Sequence, residues 1–193
     1  MRNAALWLGS TMAAAVGMTS VAGQAAAKEK YKFYLSMSYV GNDWQSQAQQ
    51  MVVAMAKAHA DELDLKIQVA GPVAQKQIQQ INSMVEAGAN AIILYPISPT
   101  ALNPAIKNAC NKGVVVFAYD SQVTEPCAYN VYTDQYASAQ ITAEWVAKAM
   151  GGKGNLIFVT GVPGTTVDTG RNKGAHDVFA KYPGIKIIAE PNG

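Results

Sequence analysis

Histidine and cysteine are nearly absent from this chain, and so is arginine beyond the second residue. The two histidines, His59 and His176, stand at unrelated places, and no metal-ligand spacing of His, Cys, Asp and Glu occurs. No metal centre and no cofactor are therefore expected, and both histidines read as ordinary helix residues. Charged residues make up only 15% of the sequence, and no block of like charge occurs, which argues against nucleic acid or an anionic membrane as partner. Neither GxGxxG nor GxxxxGK[ST] occurs, and the nucleophile elbow GxSxG is missing too. The glycines at Gly151, Gly152 and Gly154 follow a helical segment and precede a strand, the reverse of a phosphate cradle, so they read as a surface turn. The Gly161–Gly164 segment has the right order but lacks the fingerprint. No sequence repeat or low-complexity tract follows residue 27, and no later segment is apolar for long enough to span a bilayer.

What is present begins with an export pattern. Arg2 precedes a run of small and apolar residues from Ala4 to Val16, and small residues then lead to Ala25-Ala26-Ala27. This is the order of a basic n-region, an apolar h-region and an A-x-A cleavage site, which makes residues 1–27 a signal peptide and Lys28 the new N-terminus. Its removal leaves 14 basic against 13 acidic residues, with Arg171 as the single arginine. In an oxidising compartment Cys110 and Cys127 are expected to pair; two buried free thiols are the alternative.

From Tyr31 onward, short apolar runs alternate with segments of helical period. Strands are expected at Lys32–Ser38, Leu65–Ala70, Ala91–Tyr95, Val114–Tyr119, Asn155–Thr160 and Lys186–Glu190. Between them, helices are expected at Gln45–His59, Gln75–Glu86, Thr100–Asn111, Gln135–Met150 and Asp168–Tyr182, with a short extended piece at Val131–Thr133. The inward stripes are Ala48, Met51, Val52 and Met55 in the first helix; Ile78, Ile81 and Val85 in the second; and Ile141, Trp145 and Ala149 in the fourth. Gly88 suits a helix C-cap, and Pro104 is tolerable only in a first helical turn. Fully apolar strands alternating with amphipathic helices predict an α/β fold whose parallel sheet is covered on both faces.

In such sheets ligands bind beyond the carboxyl ends of the strands. The residues standing there are Ser38, Asn42, Asp43 and Trp44 after the first strand, Tyr95 at the end of the third, and Asp120 and Ser121 after the fourth. Arg171 follows the strand that starts at Asn155. Amide, hydroxyl, carboxylate and aromatic groups together suit a small polyol or sugar. Taken singly, Asn42 and Asp43 equally suit helix caps, Trp44 a core anchor, and Tyr95 strand packing. Asp43 and Asp120 are the one candidate acid pair. In a polyol site, two carboxylates more often accept hydroxyl hydrogen bonds than perform acid–base work, and no enzyme activity is expected.

In combination, SMSYVGNDW, AIILYPISPTAL, VVVFAYDS, NVYTDQ and GVPGTTVDTGRNKG resemble the ribose-type periplasmic binding proteins of ABC sugar importers, over essentially the whole mature chain. The resemblance implies two α/β lobes of the type I periplasmic-binding-protein fold that close on a monosaccharide. By position, it implies ligand contacts at Ser38, Asn42 and Trp44, with Trp44 stacking on the sugar. It places a hydroxyl acceptor at Asp120, a donor at Arg171 in the second lobe, and the first crossover between lobes at Asp134 and Gln135. Tyr95 stands where the family often has asparagine, and Ser121 where ribose binders often have arginine, which makes ribose itself a poorer expectation. The implied partners are a sugar or polyol ligand and the membrane permease of an ABC transporter, with the receptor acting as a monomer in the periplasm.

On this resemblance residues 28–134 are a first lobe lacking its C-terminal return segment. Residues 135–193 are the crossover and the start of a second lobe. The chain is thus expected to be a truncated member that binds sugar weakly or not at all. A sensory receptor handing occupancy to a chemoreceptor or kinase is the main alternative, and a secreted α/β enzyme acting on a polyol is a second. A transcriptional repressor of related fold is disfavoured by the export signal at the N-terminus.

Overall fold

A computed structural model describes residues 29–193, so the expected signal peptide and its cleavage site lie outside the described residues. Twelve elements run in alternation: β1 (Tyr31–Met37), α1 (Asp43–Ala58), β2 (Leu63–Val69), α2 (Ala74–Glu86), β3 (Ala91–Tyr95), α3 (Asn103–Asn111), β4 (Val115–Tyr119), β5 (Tyr129–Val131), α4 (Gln135–Ala149), β6 (Lys153–Ile157), α5 (Thr166–Phe179) and β7 (Gly184–Ala189). The first five strands form one sheet in the order β2-β1-β3-β4-β5, and β6 and β7 form a second. Every pairing is parallel; helices make the crossovers, except that a loop over residues 120–128 joins β4 to β5.

The elements fall close to their expected places, and the differences have local causes. Helix α1 starts at Asp43, two residues before the expected Gln45, because the Asn42 side chain accepts from the Gln45 amide at 2.8 Å and caps it there. Helix α3 starts at Asn103 rather than Thr100, and Pro104 lies in its first turn, the one place where its missing N–H costs nothing. Gly88, at φ 77°, ends the α2 segment, and Ala89 donates back to the Met84 carbonyl.

The main core lies between the sheet and helices α2 and α3, with Ile81, Met84, Ile92, Leu94, Ile106 and Val116 fully buried. A polar residue holds it in register. Gln77 of α2 is buried and donates to the Tyr95 carbonyl at 2.9 Å and to Ser36 Oγ at 3.2 Å, while its Oε1 accepts from the Ile97 amide at 3.1 Å. Those bonds fix the turn through Pro96, where β3 hands its last side chain to the loop side. Cys110 of α3 is disulfide-bonded to Cys127, which ties the segment after β4 back to the helix.

Three packing expectations are corrected. Among the described residues the second face of the sheet is covered only in part: Leu35 and Met37 of β1 are buried there, but Val115 and Phe117 of β4 and Tyr129 and Val131 of β5 are exposed, and Phe117 stacks on Tyr129 at 5.0 Å. In α1, Met51 and Met55 are exposed, and Gln45 is the buried residue. In α4, Ile141 and Trp145 are 73% and 71% exposed, whereas Ala143 and Ala147 are buried. The last reversal has a steric origin. Helix α5 approaches α4 through Gly170, Gly174 and Ala175, and only small side chains fit the seam; a Cβ on Gly174 would stand 2.4 Å from the Tyr136 carbonyl oxygen. Among the described residues no helix is long and apolar enough to cross a membrane.

Candidate functional site

Because β1, β3 and β4 are parallel neighbours, the residues at their carboxyl ends open onto one side of the sheet. A cleft of about 830 Å³ runs from there to α4, α5 and β6. Five of the expected residues line it: Asn42, Trp44, Tyr95, Asp120 and Arg171. Ser38, Asp43 and Ser121 do not. Ser38 is fully buried, with a hydroxyl that has no protein partner. Asp43 is the first residue of α1 and is exposed. Ser121 is buried against the start of α5, where its Oγ lies 3.2 Å from Thr166 Oγ1, and the Gln122 amide donates to the same oxygen at 2.8 Å. Its position makes it a clamp between the two sheets' connections.

The wall at the carboxyl ends of the five-stranded sheet is aromatic. Trp44 lies 6.4 Å from Tyr119 at an interplanar angle of 22° and 6.5 Å from Tyr95, and the two tyrosine rings are 5.5 Å apart. These spacings are ones at which the rings touch one another, leaving no room for a ligand between them. Trp44 is 52% exposed and presents its remaining surface to the cleft. Burial pushes the Tyr95 phenol up to about 12, with the Asp120 charge adding to the rise and Gln45 and Arg171 opposing it. Burial raises Tyr119 further, reinforced by Tyr95 and Asp120. Both phenols remain protonated at neutral pH. The Tyr119 hydroxyl and Gln45 Oε1 are buried without a protein partner.

The polar end of the cleft joins three elements. Asp120 caps β4 with φ 59°, the only non-glycine residue with positive φ among those described, and its amide donates to the Val131 carbonyl at 2.9 Å. Aspartate tolerates this left-handed geometry better than most side chains, and it turns the carboxylate off the strand. Burial raises the Asp120 carboxyl above its ordinary range, and the Arg171 charge holds it back. Gln135, the first residue of α4, donates to Asp120 Oδ1 at 3.3 Å, and its Oε1 accepts from Arg171 Nε at 2.8 Å. The α4–α5 seam places Arg171 there, since Gly170 passes 3.2 Å (to an ideal Cβ) from the Gln135 Cβ.

Tyr119, Gln45, Gln135 and Gly174 were not among the expected site residues. For Tyr119 the signal was present, because it ends a strand beside Asp120 as Tyr95 ends its own. For Gly174, a second glycine four residues after Gly170 inside a helical segment marks a close approach. Gln45 and Gln135 carry no distinguishing pattern. Among the described residues no group of three or more His, Cys, Asp and Glu is placed to hold a metal ion. The groups that do converge are an aromatic face, a carboxylate, an amide, a guanidinium and protonated phenols, a set that recognises hydroxyls and an apolar ring face.

Residues 33–193 match the family model described as periplasmic binding protein domain. The chain is 32% identical to a xylitol-binding protein of Mycolicibacterium smegmatis over 134 residues, covering 69% of this chain and 38% of that protein. It is 28% identical over 164 residues to the galactofuranose-binding protein YtfQ of Escherichia coli, covering 82% and 52%. Among solved structures, an ABC transporter solute-binding protein from Thermobispora bispora superposes with a TM-score of 0.77 at 33% identity, over 85% of this chain and 52% of that one. The chain thus spans about half the length of the relatives it matches.

Proposed function

Because the chain belongs to the periplasmic binding protein domain family, we propose that it serves as the substrate-binding component of an ABC importer, capturing a neutral monosaccharide or small polyol in the periplasm. On this reading residues 28–134 belong to the first lobe and residues 135–193 to the crossover and the start of the second, and the ligand is held by closure of the lobes on one another. The occupied receptor then docks on the membrane permease.

The observation that carries the reading is the convergence of Trp44, Asp120 and Arg171 on one cleft from α1, β4 and α5. Trp44 offers a flat apolar surface to the C–H face of a sugar. Asp120, Tyr95 and Arg171 offer acceptors and donors to its hydroxyls. The charges on Asp120 and Arg171 offset one another, which favours a neutral ligand over an acidic or basic one. Relatives named for xylitol and galactofuranose support the same class.

The test is calorimetric titration of residues 28–193 with neutral pentoses, hexoses and polyols, with sugar acids and amino sugars as controls. The expected outcome is saturable binding of at least one neutral member, lost in W44A. Preference for the charged controls, or binding that W44A leaves unchanged, overturns the reading.

A further inference from the structure

Asp120 and Arg171 carry opposite charges into one cleft, yet they form no ion pair. Between them lies the Gln135 carboxamide, with its NH2 donating to Asp120 Oδ1 at 3.3 Å and its oxygen accepting from Arg171 Nε at 2.8 Å. Each is the only side-chain hydrogen bond that Asp120 or Arg171 makes among the described residues. An arginine and a carboxylate within reach normally join through two parallel hydrogen bonds, which would consume both carboxylate oxygens and most of the guanidinium fork. A carboxamide is neutral and carries its acceptor and its donors on separate atoms, so it can accept from the cation and donate to the anion at once. We propose that Gln135 is a positioning residue, a neutral spacer that keeps Asp120 and Arg171 from closing into an ion pair and so leaves Asp120 Oδ2 and the Arg171 Nη groups open to ligand hydroxyls.

The backbone supports this role. Gln135 follows directly on the α4 N-cap, Asp134, whose Oδ1 accepts from the Ala137 amide at 2.9 Å, so the first turn is fixed. Gly170 lets α5 pass close to the Gln135 Cβ, which brings Arg171 within reach of the amide. Asp120 is held by the neighbouring strand β5, its amide donating to the Val131 carbonyl. The groups that bear electrostatically on Asp120 are Arg171 of α5, Tyr95 of β3 and Tyr119 of β4. The use of the open atoms by hydroxyls rests on the sugar-binding reading; the spacer geometry does not.

The experiment is a pH titration of the Asp120 carboxyl carbon by NMR in residues 28–193, without ligand, with folding of each variant checked by circular dichroism. In Q135A the spacer is gone and Arg171 closes on Asp120, so the carboxyl titrates lower than in the wild type, by on the order of one pH unit. In Q135E an anion stands beside Asp120, and the carboxyl titrates higher. In the double variant Q135A/R171M the downward shift of Q135A disappears. Should Q135A fail to fold, Q135S carries the same expected direction.

A midpoint in Q135A that rises or stays in place overturns the proposal, as do shifts of Q135A and Q135E in the same direction. A group that merely filled space would not move the two variants oppositely. Sugar affinity, measured in parallel, is expected to fall about tenfold or more in Q135A. If the wild type binds no sugar while the titration shifts appear, the spacer stands and the sugar reading falls. If sugar binds and the shifts are missing, the spacer falls alone.

Discussion

Alanine at Gly174 should weaken the fold, although alanine is the better helix former. In an exposed helix interior, glycine to alanine stabilises by about 1 kcal/mol. Against that stands the seam with α4, where the added Cβ would lie 2.4 Å from the Tyr136 carbonyl oxygen and 3.1 Å from the Ala139 Cβ. Real Cβ atoms do not approach so closely, and the nearer atom is helix backbone that cannot rotate away. Overpacking of this kind costs typically 1–3 kcal/mol, so the steric effect wins. At Gly170 the balance reverses. The nearest atoms are the Gln135 Cβ at 3.2 Å and the Tyr136 nitrogen at 3.4 Å, and a shift of a few tenths of an ångström relieves them. Urea denaturation followed by far-ultraviolet circular dichroism should therefore give a lower midpoint for G174A and an equal or higher one for G170A. In G174A the displaced helix also draws Arg171 away from Gln135. A G174A midpoint at or above the wild type would refute the close-packing argument.

Three further outcomes follow from other contacts. Reducing the Cys110–Cys127 bond, or replacing both cysteines with alanine, should cost about 3 kcal/mol on the chain-entropy estimate, read as a lower melting temperature that does not respond further to reductant. Q77A leaves the Ile97 amide without its buried partner, while the Tyr95 carbonyl keeps the Ser38 amide, and should cost about 1–3 kcal/mol, measured by denaturant midpoint. Burial raises the Asp120 carboxyl, so the folded state binds its proton more tightly than the unfolded state does. Its contribution to stability is present below the ordinary aspartate value, about 4, and is lost as pH rises through the raised one. D120N, which keeps a side chain that tolerates positive φ, should therefore melt higher than the wild type at pH 7, with the gain shrinking as pH falls through that window, while sugar binding weakens.

The layout of the fold was legible because burial on both sides leaves an unbroken apolar run. Ala91–Tyr95 and Val114–Tyr119 could be nothing but inner strands or short buried helices, and Pro96 and the flanking glycines decided between the two. The same logic misled at Val115 and Phe117, since an apolar residue records what a strand is built to pack against, and the described residues cover that face over β1, where Leu35 and Met37 are buried, but not over β4 and β5. In α4 the pattern showed two apolar stripes, and size alone marked Ile141 and Trp145 as the inner one. The neighbour that rejects large side chains, α5, starts at Thr166, 17 residues after α4 ends at Ala149, and shows itself only through Gly170 and Gly174. Strand-end reasoning brought Trp44, Tyr95 and Asp120 to one cleft because parallel topology forces those ends together, whereas Arg171 arrives from α5 across its seam with α4. It missed Gln135 for a physical reason as well: an amide gains its meaning here from two charges that come from other elements, and nothing in its own neighbourhood announces them.

The central claim is that one cleft offers Trp44 and Arg171 to the same neutral ligand. Nitrogen-15 NMR of residues 28–193 titrated with a neutral sugar or polyol tests this most directly, through the Trp44 indole N–H and the Arg171 Nε–H resonances. Both should shift along one saturation curve, and the Trp145 indole, on the outer face of α4, should stay in place. Shifts at Trp145 with Trp44 and Arg171 unmoved, or no shift at any neutral sugar concentration attainable, would contradict the account.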